Sequence, residues 1–152
     1  MAQIFHRVGI KSSVQQCYEG LSTIAGIAGW WTEETSGVSE VGETITVRFN
    51  SPEGQELGSM TMQVRILDPG RKVQWTFVTG PEEWVGTDVS FDLHQENDYT
   101  IVLFKHSKWR EEVEFMAHCS MKWAIFLLSL KNFIETGKGS PSPQDIKIDN
   151  WN

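Results

Sequence analysis

The sequence predicts an α+β domain in which a curved antiparallel sheet is laid around one long C-terminal helix. Three observations carry this. Apolar and polar residues alternate through five successive segments between residues 44 and 106, the period of half-buried strands. The connections between those segments are Ser51-Pro52-Glu53-Gly54, Asp68-Pro69-Gly70, Gly80-Pro81-Glu82-Glu83 and Glu96-Asn97-Asp98, too short for parallel crossovers. The apolar period then changes to i+3/i+4 from about Glu111 to Thr136, one face of a helix.

Taken in order, Ile4, Val8 and Ile10 fit a first strand, with His6 on the same parity. Ser13 and Gln16 form a capping box, each able to satisfy a free amide where a helix starts. Val14, Cys17, Tyr18 and Leu21 follow on one helical face, and Ser22-Thr23 offers a second cap for a short helix over Ile24 to Ala28. The acidic stretch Glu33 to Glu43 reads as a solvated loop or, functionally, a flap over a cavity mouth. The five strand sets are Ile45/Val47/Phe49, Met60/Met62/Val64/Ile66, Val73/Trp75/Phe77, Thr87/Val89/Phe91/Leu93 and Thr100/Val102/Phe104/His106. Asp68-Pro69-Gly70 suits a type II turn, because Pro presets φ and Gly accepts φ > 0.

In the last helix, Glu111, Glu112 and Glu114 favour the positive end and Gly137 is placed to terminate it. Met116, Ser120, Trp123, Leu127, Leu130 and Ile134 form the stripe to be buried, and only the concave face of the sheet is large enough to receive it. The expected order is β-α-α-β-β-β-β-β-α, one domain over 1–152 with a core of about 4–137. The Gly/Ser/Pro/Lys tail, 138–152, is expected to be ordered only in part.

Composition bounds the function. Thirteen Lys and Arg against twenty Asp and Glu give a net charge of −7, which argues against gripping nucleic acid or an anionic membrane. The longest apolar run, Trp123 to Leu128, is far short of the ~20 residues of a membrane span. The N-terminus lacks the basic-then-apolar plan of a secretion signal, and two cysteines make neither a disulfide framework nor a metal knuckle. A cytoplasmic protein is expected. No cofactor is expected, since there is no dinucleotide fingerprint, nucleophile elbow or paired-carboxylate spacing.

Parity places Trp75 and Phe77 on one sheet face, with Phe104 and His106 toward the same side and Met116 and Trp123 opposite on the helix. With Trp30 these residues form either a close-packed aromatic core or the walls of an apolar cavity with a few polar handles. His106 and His118 are the candidate polar groups, as a base, as ligand anchors or as satisfied structural residues. Neither has partners at metal-ligand spacing, so no metal is expected. Ile101 and Leu103 lie opposite in parity to Val102 and Phe104. They mark either a homodimer contact or a surface covered by the tail.

Several motifs occur together in fixed order: Gly29-Trp30-Trp31-Thr32, Val41-Gly42, Leu67-Asp68-Pro69-Gly70-Arg71 and Gly80-Pro81-Glu82-Glu83-Trp84-Val85-Gly86-Thr87. The His106–Trp109 segment, Cys119-Ser120-Met121-Lys122-Trp123, and Leu130-Lys131 through Glu135-Thr136-Gly137-Lys138-Gly139 follow. The set resembles the SRPBCC (START-like) superfamily, in the branch of homologues of the activator of the heat-shock protein 90 ATPase, from about Ile4 to Ile148. The resemblance implies the helix-grip fold, a sheet wrapped on a C-terminal helix around a deep hydrophobic cavity, and so favours walls over plain core.

Members of that superfamily bind lipids, sterols, polyketides and other apolar molecules, and some are cyclases. The eukaryotic co-chaperone of the branch carries a separate N-terminal domain for which 152 residues leave no room, so its activity is not expected here. The leading expectation is non-catalytic binding of a small hydrophobic or aromatic ligand by Trp30, Trp75, Phe77, Phe104, Met116 and Trp123, with His106 and His118 as anchors. The alternatives are an enzyme of the polyketide cyclase/dehydratase type with His106 as base, and a stress-related or co-chaperone-like protein-interaction module.

Overall fold

The structure is a computed structural model and describes residues 2–151. Its elements are β1 (Ala2–Ile10), α1 (Val14–Ser22), α2 (Ile24–Trp30), β2 (Glu34–Gly37), β3 (Thr44–Asn50), β4 (Glu56–Asp68), β5 (Lys72–Thr79), β6 (Asp88–Glu96), β7 (Tyr99–Trp109) and α3 (Glu114–Thr136). The strands form one antiparallel sheet in the order β1-β7-β6-β5-β4-β3-β2. α3 is gripped by its concave face, the α+β helix-grip arrangement expected above.

Local chemistry explains the helix starts. The Ser13 hydroxyl accepts from the Gln16 amide at 3.1 Å and the Thr23 hydroxyl from the Gly26 amide at 3.0 Å, satisfying donors that a helix leaves open. The reciprocal half of the expected capping box is absent, because the Gln16 side chain accepts from the Ser12 hydroxyl instead. α3 stops at Gly137, whose φ of 87° lets its N–H reach the Phe133 carbonyl at 2.9 Å.

Two-residue periodicity sorts the sheet. Ile45, Val47, Met62, Val64, Val73, Trp75, Phe77, Val89, Phe91, Leu93, Val102, Phe104 and His106 are all buried under α3. The helix contributes Met116, Cys119, Trp123, Phe126, Leu127 and Leu130 to the same core. Polar ties fix its course along β1: His6 Nε2 donates to the Ser120 carbonyl at 3.0 Å, and Lys131 Nζ donates to the Gly9 carbonyl at 2.6 Å.

Four expectations are corrected. The acidic stretch contains an edge strand, β2, whose residues Glu34 to Gly37 pair with Arg48 to Ile45 through backbone bonds alone. α3 begins at Glu114, so Glu111 and Glu112 precede it; Arg110 there donates to the Glu82 carbonyl at 2.6 Å as the chain leaves β7. Ile101 is 4% exposed although it points away from α3, because its register neighbour Gly9 leaves room for Ile101 and Tyr99 to lie over it. The tail does not cover that face. Its described residues, 138–151, fold back beside α3, with Ser142 bridged to Thr32 and the Ser140 amide donating to Ser129 Oγ at 2.7 Å.

The α1–α2 corner depends on the absence of a side chain at Gly26. A Cβ there would meet the Gly20 and Glu19 carbonyl oxygens at 2.6 and 2.8 Å, backbone atoms that cannot rotate away. Gly26→Ala is expected to lower stability by ~1–3 kcal/mol in urea denaturation, the usual range for overpacking. Gly58→Ala, with nothing within 4 Å of the new Cβ, is the control and should leave the midpoint almost unmoved.

Candidate functional site

A cleft of about 460 Å³ opens where α3 parts from the β3–β4 end of the sheet. Phe49, Leu57, Gly58, Ser59 and Met60 line it from the β3–β4 hairpin, and Gly80, Pro81 and Trp84 from the turn after β5. Trp31 forms part of its floor. Phe115, His118, Cys119, Lys122, Trp123 and Phe126 come from α3, and Ser142, Asp145, Lys147 and Trp151 from the tail.

Of the predicted site residues, Trp123 and His118 lie on this cleft. Trp30, Trp75, Phe77, Phe104, His106 and Met116 are packed in the core beside it. Trp75 is fully buried, stacked on Trp31 at 5.9 Å and edge-on to Phe91 at 5.2 Å. Trp30 is held from its other side, its indole N–H donating to the Gly20 carbonyl at 2.9 Å. Trp31, its neighbour, turns toward the cleft and touches Phe49, Phe77 and Trp123. Trp31, Trp84, Phe49, Phe115, Phe126, Lys122, Asp145 and Lys147 also line the cleft, without being among the expected site residues. Trp84 carried a signal, in the Gly-Pro-Glu-Glu-Trp turn that places it against Phe77 at 4.8 Å.

A hydrogen-bond chain sets the back wall. The Trp123 indole N–H, which can only donate, bonds to His106 Nδ1 at 3.1 Å. His106 therefore carries its proton on Nε2 and donates to Thr87 Oγ1 at 2.8 Å, and that hydroxyl donates to the Trp84 carbonyl at 2.5 Å. Burial pushes the His106 pKa down to about 3, with only partial opposition from Asp88. The ring is neutral and its lone pair is occupied, so it positions Trp123 and Trp84 and presents no base to the cleft.

His118, Cys119, Lys122, Asp145 and Lys147 are the titratable groups at the cleft itself. Burial raises the Cys119 thiol to about 12, against the pull of the Trp84 indole, so it stays protonated at neutral pH. His118 Nδ1 donates to Asp149 Oδ2 at 2.7 Å, and this bond holds the Asp149 carboxyl below its ordinary range. The same imidazole stacks on Phe115 and meets Trp151, 50% exposed, at 5.4 Å. Lys122 is paired with buried Asp145, whose second oxygen lies 3.4 Å from Lys147 Nζ. Among the described residues no cluster of His, Cys, Asp or Glu suits a metal ion, and no helix is long and apolar enough to cross a membrane.

A gripped helix, a sheet with this strand order and a cleft at this end define the class. The chain belongs to the family described as Activator of Hsp90 ATPase homolog 1-like protein, whose model matches residues 11–135. A solution structure described as the Aha1 dimer from Colwellia psychrerythraea is 45% identical, covering 91% of this chain and all of that one, with a TM-score of 0.81. CalU16 from Micromonospora echinospora (19% identity, 93% of this chain and 77% of that one, TM-score 0.71) shares the fold. So does BH1534 from Bacillus halodurans, at 23% identity, 89% and 98% coverage, and a TM-score of 0.68. No protein with a curated functional description matches the sequence.

Neutral His106 imposes a measurable pH dependence. The unfolded chain takes up its proton below an ordinary histidine value of 6.5, whereas the folded chain resists until about 3. Stability is therefore lost as pH falls through that window, by up to ~1.4 kcal/mol per pH unit from this group. His106→Gln keeps a donor and an acceptor and should remove one proton's worth of slope from urea midpoints measured between pH 6.5 and 4. Equal slopes for both proteins would mean that His106 is protonated in the folded chain.

Proposed function

We propose that the chain binds a small hydrophobic or aromatic molecule in the cleft between its sheet and α3. The observation that supports this is the opening of about 460 Å³ walled by Trp31, Phe49, Trp84, Trp123 and Phe126, beside a core that is otherwise close-packed. Apolar surface transferred there from water contributes ~25 cal/mol per Å² before association costs, enough for micromolar affinity from a modest ligand. An enzymatic reading through His106 gains no support, because that ring is sealed off and bonded at both nitrogens. We expect 1-decanol to change the tryptophan fluorescence saturably. Ser59→Trp, an exposed position on the cleft lip, should block the opening and weaken binding at least tenfold without touching the core. A Ser59→Trp variant that binds as tightly as the parent would place the ligand elsewhere.

A second reading rests on the outer side of α3. Met121 and Leu128, two turns apart, are 55% and 52% exposed, with half-buried Ala124 and Ile125 between them. The 45% identical relative is described as a dimer. We propose that this stripe, and not the Ile101/Leu103 face, meets a second copy of the chain. Sedimentation velocity is expected to show a dimer, and Met121→Glu/Leu128→Glu a folded monomer. A monomeric parent at high protein concentration would remove the proposal.

A further inference from the structure

The cleft is apolar through its depth and charged only at its tail-side end. Three of its lining side chains are lysine or aspartate: Lys122, Asp145 and Lys147. Asp145 is 7% exposed, with one carboxylate oxygen bonded to Lys122 and the other 3.4 Å from Lys147 Nζ. Lys122, its side chain 13% exposed, also donates to the Ile146 carbonyl at 3.0 Å and lies 5.2 Å from the centroid of the Phe126 ring. A single carboxylate thus lies between two ammoniums, and the wall keeps one surplus positive charge. His118, one turn before Lys122, is bonded to Asp149, whose carboxylate is not among the residues lining the cleft.

The surplus belongs to Lys147. An ammonium has three donors, and among the described residues Lys147 has one acceptor, Asp145, at a long distance. A ligand anion can therefore bond to Lys147 without breaking the Lys122–Asp145 pair. The magnitude of the surplus also selects the anion. A monoanion is neutralised by one charge, whereas a phosphate monoester would bring a second negative charge against buried Asp145.

We propose that the ligand is an amphipathic carboxylate, its apolar body against the aromatic walls and its carboxylate on Lys147. The proposal rests on the cleft-binding reading above. Decanoate and 1-decanol, titrated by tryptophan fluorescence at pH 7.5 and low salt, separate the two. Decanoate should bind about tenfold more tightly, the range of a charge-assisted hydrogen bond in a partly desolvated site. Lys147→Met, at an exposed position, should erase the difference between the two probes, and Lys147→Glu should reverse the preference. Equal binding of the two probes, or a decanoate preference that survives Lys147→Glu, overturns the carboxylate assignment while leaving the cleft in place. Failure of both probes to bind overturns the cleft reading and this one with it.

Discussion

The site depends on a single imidazole that cannot afford a charge. His106 lies at the junction of β7, β6, α3 and the turn after β5, and its two nitrogens join them by accepting from Trp123 and donating to Thr87. Thr87 continues the chain to the Trp84 carbonyl. Because the indole has no acceptor, every proton in the series has one place to be. The Trp123 indole and the Trp84 backbone are therefore fixed by the same bonds, and the two rings stack at 5.8 Å and 14°. A protonated His106 would have no lone pair for Trp123 and would bury a charge that Asp88 offsets only in part, so folding keeps it neutral.

The core and the cleft are made from the same residue types. Aromatic side chains fill the concave face from Phe91 and Trp75 to Trp31, and the cleft begins only where the β3–β4 hairpin diverges from α3. Tight packing on one side gives the opening rigid walls, and Trp31 belongs to both.

Much of the fold was legible because its signals are local. Ser13 and Thr23 are side-chain caps, Gly137 sits in the left-handed region, and parity named the buried face of the long strands except past the β4 bulge, where Leu67 and not Ile66 packs on the core. What escaped has no side-chain period. β2 is a polar edge strand held by backbone pairing, and the tail is Gly/Ser/Pro-rich yet tied down by Asp145 and Asp149, contacts far apart in sequence. Parity also cannot tell a residue that lines an opening from one that closes the core. Phe77 and Trp75 therefore read the same as Phe49, although only Phe49 meets the cleft. Trp30 and Trp31 are likewise indistinguishable by pattern: the two stack at 5.9 Å, and it is Trp31 that lines the cleft.

The tail divides the molecule's heritage in two. The family match ends at residue 135, yet Asp145, Lys147, Ser142 and Trp151 all reach the cleft from beyond it. Most of the aromatic wall thus lies within the matched scaffold, while Trp151 and two of the three charged side chains, Asp145 and Lys147, come from the segment after it. Such a segment can diverge without jeopardising the fold. Under the ligand-binding reading proposed above, a change in this segment would alter the charged end of the cleft and leave the grip on the helix as it is.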